Sequence, residues 1–205
     1  MRLKSQHRRK QRGNELIEFA LVTSLLLPFL FGTVVVGLNL GRSIQVTQVS
    51  RDAGHMYSRA VDFSDAGNRN LIERLAQGLN IRVTGGTGVV ILSTIMYAGQ
   101  AQCDAAGLSG AACTNLNQPV FIDRIVIGNS SARSSNFGTP SAAIVSSDGQ
   151  VSNYLTNISA RANGFSAVLP LQAGEIAYVS EVYVPSLDYS LPGYTATGVY
   201  SRTVF

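Results

Sequence analysis

The chain has 205 residues, enough for one modest globular domain with an attached helix. Its formal charge of +4 arises at the N-terminus, where the first thirteen residues contain no acid and six of the sixteen basic residues: Arg2, Lys4, Arg8, Arg9, Lys10 and Arg12. Without this leader the chain carries more acidic than basic residues, so its charge gives no support for nucleic acid as a partner.

An apolar segment long enough to cross a membrane follows the leader. No residue from Phe19 to Leu38 is charged, and these 20 positions match the length of a membrane-spanning helix. Basic residues stay on the cytoplasmic side of a span. The sequence therefore predicts a single-pass membrane protein with residues 1–13 in the cytoplasm.

Glu18 lies at the start of this apolar segment and separates the possible interpretations. A cleaved secretory signal peptide fits poorly, because the apolar core is too long and no A-x-A motif follows it. A plain signal anchor explains the length and the orientation, but it leaves Glu18 unexplained. A carboxylate inside a membrane costs about 2.5–3.5 kcal/mol on insertion scales, so its presence calls for a reason.

A third interpretation comes from the run RGNELIEF, in which Gly13 ends the basic leader and Glu18 follows five positions later. This run resembles the processing site of type IV pilin-like proteins. The continuation through Phe19, with Pro28 near the middle of the span, resembles the TadE/TadF family of minor pilins (pseudopilins) from tight-adherence (Flp) pilus systems. The resemblance implies that a prepilin peptidase cuts between Gly13 and Asn14, and that the helix stays on the mature chain.

The same resemblance implies a role, a location and partners. We expect a structural or assembly component of a Flp-type pilus or a related secretion apparatus. The resemblance places it in the bacterial inner membrane with its C-terminal domain in the periplasm. It also implies that the chain can be incorporated into a surface pilus. The implied partners are the prepilin peptidase, other pilins or pseudopilins, and the inner-membrane assembly platform.

Glu18 has two interpretations of its own. Cleavage would leave the α-amine of Asn14 as a cation near neutral pH, and in pilin-like assemblies the glutamate of one subunit is thought to pair with this amine of a neighbour. Such a pair offsets desolvation only when both partners are present. Alternatively, Glu18 lies at the headgroup level and reaches water. We retain both interpretations at this point.

Pro28 lies inside the predicted helix, where it removes one backbone hydrogen bond and predicts a kink. Glycines at positions 32, 37 and 41 provide small-residue spacing that lets helices approach closely.

Beyond Leu40 the chain becomes amphipathic, with apolar residues three to four positions apart: Ile44, Val46, Val49, Ala53, Met56, Tyr57 and Ala60. This spacing predicts that the helix continues to about Val61. We therefore expect a leader at 1–13, a transmembrane and stalk helix at 14–61, and a periplasmic domain at 62–205.

The remaining elements predict an α+β fold, with the long N-terminal helix packed on a small antiparallel sheet as in type IV pilins. A short helix is expected to be capped by Ser64 or Asp65 and to end at Gly78. Segments rich in Val, Ile and Tyr predict strands at 80–83, 89–97, 120–127, 175–184 and 200–205. We expect an exposed loop at 129–147 and a helix around 150–160. The segment 174–193 is similar to the last strand of TadE proteins.

Two cysteines, Cys103 and Cys113, are separated by a stretch with glycines at 107 and 110 that lets the chain fold back. In an exported domain this spacing favours a local disulfide, and two free thiols are the alternative. A zinc site is not expected, because His55 is the one further soft ligand outside the leader.

The sequence gives no arrangement typical of catalysis, and we expect no enzymatic activity and no cofactor. A nucleophile of the Ser/His/Asp or Cys/His type needs a histidine beside it, but His7 lies in the leader and His55 on the predicted stalk. Two rivals to the pilin interpretation remain: a signal-anchored periplasmic binding or sensing module that keeps residues 1–13, and a membrane-tethered enzyme.

Overall fold

The computed structural model describes residues 6–186 and 198–205, with side chains from Asn14 onward. Among the described residues, one compact unit comprises residues 6–41 and a second comprises residues 42–186 and 198–205. The first five residues of the basic leader and the end of the segment 174–193 lie outside the described residues.

The first helix, α1, spans Gln6–Ser58 and contains Pro28. It ends three residues before the predicted end at Val61, because Ala60 adopts a left-handed backbone conformation with φ of 61°. The Val61 N–H turns back and donates to the Met56 carbonyl at 3.1 Å. This bond is typical of a helix C-terminus closed by a left-handed residue.

The second helix, α2, spans Ala66–Leu75. Asp65 caps it, as predicted, since its carboxylate accepts a hydrogen bond from the Asn68 N–H at 3.1 Å. The helix ends before the predicted end at Gly78, and the following residues form turns. Ile72 is buried in α2, and Leu79 is buried beyond its end.

Four strands form one antiparallel sheet in the order β2-β1-β3-β4: β1 is Val89–Ala98, β2 is Gln118–Gly128, β3 is Ile176–Val184 and β4 is Val199–Val204. Each overlaps a predicted strand segment rich in β-branched residues, with bounds that differ by one or two residues. The α+β prediction, with a long N-terminal helix and a small antiparallel sheet, is confirmed.

The prediction of a strand at 80–83 is wrong. Asn80 adopts a left-handed conformation with φ of 53°, and its carbonyl accepts hydrogen bonds from the N–H groups of Thr87 and Gly88 at 2.9 and 3.2 Å. These bonds close residues 80–88 into a compact turn, so residues 80–83 pair with no strand in the part of the chain that the structure describes.

The predictions for 129–160 are also wrong in part. The segment 129–147 is not a wholly exposed loop, because Phe137 and Ile144 are buried. The helix expected around 150–160 is reduced to a 3-10 turn at Ile158–Ala160. The Val151 N–H donates instead to the Ile122 carbonyl on β2 at 3.0 Å, which holds this segment along the sheet edge.

The sheet is covered on both faces within the second unit. One face packs against the end of α1, where a cluster of buried side chains includes Val46, Val49, Ala53, Tyr57, Val90, Leu92, Ile125 and Val182. A second buried cluster joins strand residues to the long loops and includes Ile95, Phe121, Val179, Phe137, Ile144 and Phe165. The part of α1 from Arg42 to Ser58, which we call the stalk, is therefore one layer of the folded domain.

Candidate assembly site on the N-terminal helix

Gly13, Asn14 and Glu18 all lie within α1. Asn14 and Glu18 are four positions apart, so they lie on the same helix face one turn from each other. Glu15 and Glu18 are both exposed. Within the described residues, no side chain or backbone group donates a hydrogen bond to Glu18. This carboxylate is thus available to a partner outside the chain.

Large apolar side chains surround Glu18 and continue along the helix. Leu16 and Phe19 are each 70% exposed, and many others are exposed as well, among them Leu21, Leu25, Leu26, Phe29, Leu30, Phe31, Val36, Leu38 and Leu40. Burying one such side chain is worth about 1.5–3 kcal/mol relative to leaving it in water. One described helix, Asn14–Ser58, is long and apolar enough to cross a membrane. This surface fits a membrane anchor.

Two hydroxyl groups within the apolar segment are satisfied by the helix itself. Ser24 Oγ donates to the Leu21 carbonyl and Thr33 Oγ1 donates to the Leu30 carbonyl, both at 2.8 Å. Such local bonds remove the cost of placing a hydroxyl in lipid. Glu18 differs from these residues because it has no such bond within the part of the chain that the structure describes.

A shallow apolar groove of about 600 Å³ runs along one side of the helix and is lined by Pro28, Phe29, Gly32, Thr33, Val36, Gly37 and Leu40. A Cβ atom added at Gly32, Gly37 or Gly41 would meet nothing within 4 Å. The fold of this chain therefore does not itself require these glycines to be small. Close approach by another helix is one reason for them. The kink at Pro28 stays a prediction.

The second half of α1 carries a polar contact that the sequence analysis missed. The Tyr57 hydroxyl lies 2.8 Å from Thr94 Oγ1 on β1 and donates to Asp123 Oδ2 on β2 at 2.9 Å. Nearby, Ser50 Oγ donates to the Ser180 carbonyl on β3 at 3.2 Å. Tyr57 was expected only as part of an apolar face, although a buried tyrosine hydroxyl usually requires a partner.

Asp123 forms the charged end of this contact. Its Oδ1 atom is buried and has no hydrogen-bond partner among the described residues. A cavity of about 490 Å³ is lined by Asp123 together with Asp62 and Asp148. Burial raises the pKa of the Asp123 carboxyl, and the negative charges of Asp148 and Asp62 raise it further. Burial also raises the pKa of the Tyr57 hydroxyl, which stays a hydrogen-bond donor.

The pKa values of the other two carboxylates, Asp62 and Asp148, are shifted in the opposite direction. Hydrogen bonds from Ser64 lower the pKa of Asp62, and a hydrogen bond from Ser146 lowers the pKa of Asp148. Among the described residues, no three His, Cys, Asp or Glu side chains are arranged to hold a metal ion. The cluster therefore contributes charge repulsion to the stalk contact.

Cys103 and Cys113 are bonded to each other, with 5.9 Å between their Cα atoms. Both are buried, and they pack in a small cluster with Val120 and Leu155. His55 lies on the stalk, where its ring centroid is 4.5 Å from that of Phe205. The disulfide and the histidine both lie in the second unit, and neither belongs to the surface around Glu18.

Residues 13–55 match the family model described as TadE-like protein. This segment of the chain is TadE-like. The match begins at the glycine that was predicted to precede the cut and extends into the stalk part of α1, so it confirms the predicted resemblance and associates the chain with Tad pilus systems. The segment 174–193, which was also expected to be similar, lies outside the match. No curated protein and no solved structure matches the chain.

Proposed function

We propose that this protein is a minor pilin (pseudopilin) of a Tad, or Flp-type, pilus or a related secretion apparatus. A prepilin peptidase removes residues 1–13 by cutting between Gly13 and Asn14, and α1 anchors the mature chain in the inner membrane with the sheet domain in the periplasm. The observation that carries the proposal is the TadE-like match that begins at Gly13, with the exposed Glu18 one helical turn beyond Asn14.

In this proposal Glu18 forms an ion pair with the N-terminal amine of a neighbouring subunit. The cut creates a cationic α-amine on Asn14, at the end of a helix whose surrounding side chains are apolar and exposed. A lone carboxylate and a lone amine are both costly in lipid, whereas an ion pair between two subunits relieves both costs at once. Pairing of Glu18 with the amine of a neighbouring pilin therefore favours association over the free subunit.

The stalk and the sheet domain have a different part in this proposal. The end of α1 is buried against the sheet, so the membrane helix is continuous with an element of the folded domain. This architecture suits a subunit that joins other pilins and the inner-membrane assembly platform through its helix.

The experiment compares Glu18→Gln with Glu15→Gln, an exposed glutamate on the same turn of α1. Each full chain is expressed in a host that carries the pilus system, and co-purification of other pilins is measured after detergent extraction. Glu18→Gln should insert normally and reduce co-purification about tenfold or more, as expected for an ion pair lost in lipid. Glu15→Gln should change it by less than about twofold. Unchanged co-purification of Glu18→Gln would contradict the proposed pairing.

A further inference from the structure

The turn after α2 borders an open cavity of about 610 Å³ that is lined by both polar and apolar groups. Asn70, Arg74 and Gln77 form one wall: Asn70 and Arg74 lie four positions apart on α2, and Gln77 lies in the turn beyond its end. Asn80 and Arg82 form the other wall. The apolar side chains beneath it are anchored in the domain, since Ala76 and Ile81 are each 1% exposed.

Asn80 uses one of its amide N–H groups within the turn, whereas the other side-chain donors of the cavity are not used within the described residues. Within the described part of the chain, the side chains of Asn70, Arg74, Gln77 and Arg82 make no hydrogen bond to another residue. The single acid of the lining is already engaged, because Glu73 Oε2 accepts a hydrogen bond from the Val83 N–H at 3.2 Å. The cavity therefore offers two arginines against one carboxylate that already accepts a hydrogen bond, and its other polar side chains are open to solvent.

The wall that presents Arg82 is held in a fixed conformation. Asn80 has a left-handed φ of 53°, and its side-chain amide donates to Thr87 Oγ1 at 3.0 Å. A Cβ atom added at Gly86 would lie 2.6 Å from the Asn80 carbonyl oxygen and 2.7 Å from the backbone nitrogen of Arg82. Only glycine fits this close approach. Such an outlying backbone conformation persists where the surroundings fix it, and it is common at ligand sites.

The donor set indicates the chemical class of ligand. A guanidinium group binds a carboxylate through two parallel hydrogen bonds. Side-chain amides both donate and accept, so they match hydroxyl groups. The cavity volume falls within the range of small-ligand sites, about 300–1,000 Å³. We propose that this cavity binds a carboxylated sugar of the uronic-acid type, with Arg74 and Arg82 holding the carboxylate and Asn70, Gln77 and Asn80 bonding the hydroxyls.

An acidic peptide is the competing ligand, because it also carries carboxylates. It offers fewer hydroxyl groups to the three amides, so the composition of the lining favours the sugar. Titration calorimetry of the full chain in detergent distinguishes them with three probes: trigalacturonate, the neutral sugar maltotriose, and triglutamate. We expect trigalacturonate to bind about tenfold or more tightly than either of the other two.

Variants connect this binding to the cavity. The double variant Arg74→Gln/Arg82→Gln should weaken trigalacturonate binding about tenfold or more, because charge-assisted hydrogen bonds are removed. Gln77→Glu should weaken it as well, since it places a negative charge in the wall. Arg59→Gln is the matched control, because Arg59 is exposed and does not line the cavity. It should bind within about twofold of the unchanged protein.

All substituted residues are exposed, so the variants should keep the urea unfolding midpoint of the parent chain. The proposal is overturned if trigalacturonate does not bind the parent chain, if triglutamate binds equally well, or if both cavity variants keep full affinity.

Discussion

The two halves of α1 differ in where they place their apolar side chains. Before Gly41 the apolar residues occupy every side of the helix and are exposed, as Phe19 and Val36 are at 70% and 57%. After Arg42 most of them keep to one face and are buried, as Val46 and Ala53 are at 0%, although Ile44 is 59% exposed. The two halves of this helix therefore have different surroundings. The apolar side chains of the first half can be covered only by lipid or by other helices, whereas most of those of the second half are covered by the sheet of the same chain.

Polar groups follow the same division. In the second half, the Tyr57 hydroxyl is bonded to Thr94 and Asp123 within the fold. In the first half, the carboxylate of Glu18 has no partner among the described residues. An internally satisfied polar group contributes to the stability of the domain, whereas an unsatisfied one in an apolar surface favours association with another molecule.

The largest expected effect comes from making the same substitution in both halves. Val46→Asp buries an unpaired charge and should lower the free energy of unfolding of the domain by about 3–5 kcal/mol. Val36→Asp should leave that quantity within about 0.5 kcal/mol of the parent chain. It should instead weaken membrane insertion by about 2.5–3.5 kcal/mol. Urea unfolding in detergent measures the first quantity, and membrane fractionation measures the second.

The two substitutions also serve as controls for each other. If Val36→Asp unfolded the domain, or if Val46→Asp acted only on insertion, the two halves would not have separate surroundings and the comparison would fail.

A smaller effect is expected at the polar contact of the stalk. Tyr57→Phe removes the donor to Asp123 and leaves a buried carboxylate without that bond, which should cost about 1–3 kcal/mol of unfolding free energy. Tyr178→Phe is the control, because its ring packs 5.6 Å from the Tyr57 ring and its hydroxyl makes no hydrogen bond within the described residues. That control should cost less than about 0.5 kcal/mol. Equal losses would show that ring packing, and not the hydroxyl bond, holds the stalk.

The smallest effect is a dependence on pH. Burial raises the pKa of Asp123 above its ordinary value of 3.8, so the folded state binds a proton at a pH at which the unfolded chain does not. The free energy of unfolding should therefore rise as the pH falls through this raised pKa, and the gain should level off below the ordinary value. Urea unfolding over a pH series measures it, and Asp123→Asn should abolish the rise.

Asp62 and Asp148 act with the opposite sign and in a different pH window. Their pKa values are lowered by serine hydrogen bonds, so their contributions are lost only as the pH falls below the ordinary aspartate range. A rise that persists in Asp123→Asn would assign the effect to another group.

The sequence was most informative about elements that are determined by a regular spacing of apolar residues over many neighbouring positions. The apolar run of α1, its change to a single apolar face after Leu40, and the β-branched strands all follow from spacing along the chain. The cap at Asp65 was likewise predictable, because capping depends on residues three positions apart. Glu18 could also be recognised from the sequence, because a charged residue beside a long apolar segment is unusual.

The sequence was least informative where contacts between residues far apart in the chain determine the structure. The run at 80–83 has strand composition, but the bonds from Thr87 and Gly88 to the Asn80 carbonyl close it into a turn. Tyr57 and Asp123 are 66 positions apart and meet only in the folded sheet. The cavity between Arg74 and Arg82 depends on that same turn, so no local pattern could reveal it.

The central claim is that the leader is removed and that the apolar half of α1 remains as the N-terminus of an assembly subunit. Intact-mass measurement of the full chain, purified from cells with and without an active prepilin peptidase, tests it most directly. We predict a mature chain that begins at Asn14 when the peptidase is active and at Met1 when it is not. A chain that begins at Met1 in both cells would contradict the account and favour an unprocessed, signal-anchored module.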